Sequence, residues 1–159
     1  MPEKDVLEPA VIDTIERYFD LLQAHAPLQQ MYAEILTEDF ETGFRGGFMW
    51  RGESGTQEFL DARSEFFDES HEITQIIHAA LDADGILLAR TRLSFLLRRR
   101  EPGSARSEEL TGDAFHLWRF RREPDGVRWR VAAQIVEGFA RLNEGARTLF
   151  SAPTEGLRT

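Results

Sequence analysis

The chain has 159 residues, 42% apolar and 30% charged, a mix that suits one globular domain large enough to bury a core. Its 19 basic and 28 acidic residues leave a formal charge of −9, which argues against binding to duplex nucleic acid or to an anionic membrane surface. There is no cysteine, so disulfides, thiolate nucleophiles and cysteine metal sites are excluded.

Met1-Pro2-Glu3-Lys4-Asp5 is polar and lacks an apolar signal core, and no run of about 18 apolar residues follows it. A cytoplasmic protein is expected. The first element is a helix: Val11, Ile12, Ile15, Tyr18, Phe19 and Leu22 recur at the spacing of one buried stripe. Pro9 suits its first turn and Pro27 marks its end. A second helix is predicted from about Leu28, with Met31, Tyr32, Ile35 and Leu36 inward. "FETGFRGGFMWRG" mixes aromatics with glycine as a short hairpin does. A third helix is predicted through "TQEFLDARSEFFDE", with Phe59, Leu60, Arg63, Phe66 and Phe67 on one side and Ser54 as its N-cap.

From His71 the period changes to two. Four strand-length runs follow, separated by Asp-Ala-Asp-Gly, "EPGSARS" and Glu-Pro-Asp-Gly. Connectors this short imply an antiparallel meander, because parallel pairs need long crossovers. The expected fold is α+β, with three N-terminal helices packed on a strongly curved antiparallel sheet. Residues 1–142 read as one domain, and 143–159 as a tail that is loose or packed on a second subunit. Alternation puts Leu87, Ala89, Thr91, Leu93, Phe95 and Leu97 on the core face of the second strand. It puts Leu110, Ala114, His116, Trp118 and Phe120 inward on the third. On the last strand Trp129, Val131, Ala133 and Ile135 face inward, leaving Gln134 outside. His71 and His78 are separated by an odd number, so they take opposite faces and cannot share a metal ion. No metal site and no cofactor are expected.

Several segments in this order resemble the SnoaL-like group of nuclear transport factor 2-like domains: "ERYFDLLQAHAPLQQMYAEILTEDFE", "MWRGESGTQEFLDARSEFFDESHEITQ" and "DGVRWRVAAQIVE". The resemblance implies a cone-shaped barrel with an internal pocket, a homodimer through the outer sheet face, and a small hydrophobic ligand or substrate. In the dehydratases of the group, a His opening the first long strand pairs with an Asp after the first helix. His71 matches that His, but His25 stands at the Asp position. The ketosteroid isomerases place a Tyr where Tyr18 stands and an Asp near the position of His116, and their base is missing from "ETGFRGG". The central "SFLLRRREPGSARSEELTGD" echoes the small subunits of dioxygenases, a more distant relation. The resemblance thus names His71, Tyr18 and His116 as candidate catalytic residues, lined by Trp118, Phe95, Ile135 and His25. Two functions are open. One is a lyase- or isomerase-type enzyme moving a proton on a mostly apolar ring compound; the other is a non-catalytic ligand-binding or dimeric scaffold domain.

Overall fold

The computed structural model describes residues 7–101 and 103–151. Helix α1 (Pro9–Gln23) buries Val11, Ile15, Tyr18, Phe19 and Leu22, the stripe expected from the sequence. Each fully buried side chain of this kind contributes roughly 1.5–3 kcal/mol, far more than helix propensity can. The stripe therefore decides where α1 lies. The short α2 (Leu28–Glu34) ends where Arg130, from the last strand, donates to the carbonyls of Tyr32, Ala33 and Leu36. Those are the carbonyls that a helix C-terminus leaves unpaired.

Strands β1 (Leu36–Phe44) and β2 (Met49–Arg51) form the predicted hairpin. Helix α3 (Gly52–Ala62) is shorter than the sequence suggests. It stops at Ala62, and Phe66 and Phe67 open the next strand instead of extending its apolar side. Arg51, not Ser54, occupies its N-cap position.

The meander is β3 (Phe66–Leu81), β4 (Ile86–Arg100), β5 (Ser107–Arg122) and β6 (Trp129–Ala140). All three of its pairings are antiparallel. The sheet runs β2-β1-β6-β5-β4-β3. It is mixed, because β6 returns parallel to β1 after a long excursion of the chain. It curls without closing, so β2 and β3 are free edges and the barrel is open. The stretch read as a tail, loose or packed on a second subunit, carries α4 (Glu144–Ser151); residues 152–159 lie outside the described residues. Asn143 caps this helix by accepting the amide of Ala146, and it also ties the helix to β5 through Glu109 and Thr111.

Bulges decide which side chains meet inside. On β3 an extra residue sits between the Phe67–Arg98 and Ser70–Leu96 pairs, where Asp68 takes a left-handed φ of 46°. The bulge switches the parity of the strand, so Phe66 and His71, five apart, face the same side. Two further bulges, after Ile73 and Ile76, cancel each other. His71 therefore pairs with inward-facing Phe95, and His78 pairs with Arg90 on the outer face. On β6, skipping Ala132 moves Gln134 opposite Trp118 and Val136 opposite His116. Gln134 thus points inward and Ile135 outward, the reverse of the regular alternation read from the sequence.

Among the described residues no helix is long and apolar enough to cross a membrane.

Candidate functional site

Between α1, α3, α4 and the concave face of the sheet lies a space of about 120 Å³. Aromatic rings make up most of its wall. Phe19 comes from α1, Phe59 from α3, Phe66 from β3 and Phe95 from β4. Phe139 and Phe150, stacked with centroids 4.5 Å apart, close the end beside α4. Phe150 also meets Phe95 edge-on at 6.0 Å, which pins the C-terminal helix to the body of the domain.

The polar groups on this wall are few: Thr42, Arg63, His71, His116 and Gln134. His71 and His116 both lie against the Phe19 ring, at centroid distances of 4.0 and 6.1 Å. Burial, and then the positive charge of Arg63, hold both imidazoles below their ordinary range. His71 sits well below it, with the nearby His116 adding to the effect; His116 is pushed down to about 3. Both are therefore neutral at pH 7. Nδ1 of His116 is buried without a hydrogen-bond partner.

Arg63, one residue beyond α3, reaches the same wall. One of its terminal nitrogens donates to Glu69, while its Nε is buried and unpartnered. Its guanidinium lies 5.9 Å from the centre of the Phe59 ring and 6.0 Å from that of Phe66, within cation–π range. Glu69 is almost wholly buried, and its Oε1 lies 3.9 Å from Nε2 of His71.

The other residues expected in the site lie elsewhere. Tyr18 is fully buried behind the pocket, and its hydroxyl donates to Oε1 of Gln134 at 3.0 Å. Burial pushes its phenol above the ordinary range. Trp118 stands behind the wall as well, edge-on to Tyr18 and His116, with its indole N–H on Thr91. Ile135 faces away from the cavity because of the Ala132 bulge. His25 takes a left-handed φ of 56° just past α1, and its Nε2 donates to the Phe66 carbonyl at 2.8 Å. It is thus a backbone tie outside the pocket, and not a partner of His71. Of the residues named from the sequence, His71, His116 and Phe95 come together on the cavity wall.

Glu69 and Gln134 escaped the sequence reading. Glu69 precedes His71 by two, the spacing that puts two residues on one face of a strand. Starting the strand at His71 hid that relation. Gln134 was hidden by a bulge that alternation does not reveal. Among the described residues, no three His, Cys, Asp or Glu side chains gather in a metal-ligating group.

No protein-family model and no curated protein sequence matches the chain. Solved structures do. A candidate scytalone dehydratase from Novosphingobium aromaticivorans superposes with a TM-score of 0.66 at 15% identity, covering 85% of each chain. The Kfla4162 protein of Kribbella flavida gives a TM-score of 0.67 at 15% identity, over 94% of this chain and 95% of that one. A nuclear transport factor 2-like superfamily protein from Salmonella enterica gives 0.57 at 18%, over 85% of this chain and 92% of its own.

The chain has the nuclear transport factor 2-like fold.

At these identities the likeness concerns the backbone. The nuclear transport factor 2-like fold provides a curled sheet, helices over its concave face and a space between them. The chemistry in that space depends on this chain's own side chains.

Proposed function

We propose that the pocket binds a small, mostly apolar ring compound bearing a carbonyl group and moves a proton on it. The observation that carries this reading is that two buried, neutral imidazoles and the Arg63 guanidinium share one aromatic-walled cavity. Its volume of about 120 Å³ is close to the ~150 Å³ of an apolar cavity that takes up one benzene ring. A single six-membered ring fits such a space.

His71 is the base. It takes a proton from the carbon next to the substrate carbonyl; the C–H electron pair moves into the ring, and the carbonyl oxygen becomes an enolate. Arg63, whose Nε–H has no partner in the protein, stabilises that oxyanion, and the dry aromatic wall strengthens the attraction. His116 offers a neutral ring nitrogen for a hydrogen bond. Return of the proton to another carbon completes an isomerisation. Transfer of the proton to a departing β-hydroxyl, leaving as water, completes a dehydration. The backbone likeness to a candidate scytalone dehydratase is compatible with this reading, which rests on the side chains.

Proton exchange in D2O tests the proposal on a panel of small cyclic ketones, followed by loss of the α-proton NMR signals. The wild-type protein accelerates the loss for at least one ketone that it binds. His71→Gln abolishes the acceleration and still binds that ketone. Wild-type protein that binds ring compounds but leaves their α-protons in place is a ligand carrier, and the enzymatic reading fails.

A further inference from the structure

A proton-accepting histidine ordinarily leans on a carboxylate, and His25, just past α1, supplies none: it is tied to the Phe66 carbonyl. A carboxylate does lie close by. The bulge at Asp68 turns Glu69 inward, where its side chain is fully shielded from solvent. Its Oε1 accepts from Arg63 and lies 3.9 Å from Nε2 of His71, and its Oε2 has no partner at all. Asp68 holds a left-handed conformation that residues other than glycine rarely adopt, and such strain persists only where the surroundings enforce it. A regular strand would have put Glu69 on the outer face with Phe67. The strained bulge is thus what delivers the carboxylate.

We propose that Glu69 is the positioning residue for His71: its carboxylate, at ion-pair distance from Nε2 though beyond hydrogen-bond reach at 3.9 Å, favours the tautomer that carries its proton on Nε2 and leaves Nδ1 unprotonated. This rests on the reading of His71 as the proton acceptor. Glu69 does not line the cavity and touches no substrate; it acts through His71. When His71 takes up a proton, the imidazolium gains a carboxylate at ion-pair distance. That attraction opposes burial and the repulsion of Arg63. The groups facing His71 are Arg63 beyond α3, Glu69 from its own strand and His116 from β5. The aromatic rings of Phe19 and Phe95 come from α1 and β4, and Glu16 of α1 borders the outer groove beside it.

The first test needs no substitution. Nitrogen-15 shifts of the ring at neutral pH show which nitrogen of His71 carries the proton. Nε2 is expected, and a proton on Nδ1 overturns the proposal. The second test compares wild-type protein with Glu69→Gln and Glu69→Asp. Glu69→Gln keeps a hydrogen-bond acceptor for Arg63 but removes the charge. Its kcat for proton exchange should fall at least about tenfold, with KM for the ketone unchanged. The loss stays below the ~10⁴-fold seen when a catalytic histidine's direct carboxylate partner is neutralised. Glu69→Asp restores part of the rate. An unchanged rate in folded Glu69→Gln overturns the proposal. If the wild-type protein shows no exchange but its His71 proton sits on Nε2 and redistributes in Glu69→Gln, Glu69 keeps its role and only the catalytic reading falls.

Discussion

Replacing Tyr18 by Phe separates a packing tyrosine from a catalytic one. The hydroxyl is fully buried and donates to Oε1 of Gln134 at 3.0 Å. Thr42 lies 3.1 Å from the same oxygen, but its single proton goes to the nearer backbone carbonyl of Gln134, at 2.6 Å. Removing the phenol oxygen therefore leaves the buried Gln134 acceptor without its main donor. A buried acceptor left in that state costs about 1–3 kcal/mol. For a domain of this size each kcal/mol lowers Tm by roughly 2–4 °C, so Tyr18→Phe should melt roughly 2–12 °C lower. Proton exchange should change less than about threefold, the size of a small repositioning rather than the loss of a transition-state donor. The phenol is also held above its ordinary range by burial, which makes it a poor proton donor. Thermal melts by circular dichroism, paired with the D2O exchange assay, check both numbers. An unchanged Tm together with a hundredfold loss of exchange would refute the reasoning and return Tyr18 to the site as an oxyanion donor.

Two more predictions follow from the same geometry. His71 and His116 bind protons less readily in the folded protein than in the unfolded chain, where histidine titrates near 6.5. As pH falls below that value the unfolded state takes up more protons, so stability decreases from about pH 6.5 down to about 3, where His116 titrates. The slope is at most ~1.4 kcal/mol per pH unit for each histidine. Denaturant melts at pH 7, 6, 5 and 4 measure it, and a flat profile from pH 7 to 4 contradicts the burial of these imidazoles. Gly43 lines the pocket with a φ of 154°, and a Cβ there would collide with the Phe48 carbonyl oxygen and lie 2.8 Å from Met49 Cα. Both are backbone atoms, of the turn and the first residue of β2, and cannot rotate away as a side chain can. Gly43→Ala should cost about 2 kcal/mol or more, and a melt within a degree of wild type would show that the β1–β2 hairpin packs differently.

Local pattern in the sequence determined most of the container. The stripe from Val11 to Leu22 set the buried face of α1. The Asp-Gly turns and alternating runs set the meander, and parity alone put His116 inside with the aromatics. These features depend on near neighbours along the chain, so a single sequence carries them. Tertiary structure decided the composition of the site. Three one-residue irregularities did most of it. The strained Asp68 brought Glu69 and His71 to the face that Phe66 occupies, the skipped Ala132 exchanged Ile135 for Gln134, and the left-handed His25 was carried off to a backbone carbonyl. A bulge leaves little trace in residue type, yet it inverts every side chain beyond it, because the strand period is two. Arg63 stands in the sequence among Phe59, Leu60, Phe66 and Phe67, and nothing in that pattern marks it for the site. Its partner was not legible either, since the Arg63–Glu69 pair forms only after the turn from α3 into β3 folds the chain back on itself.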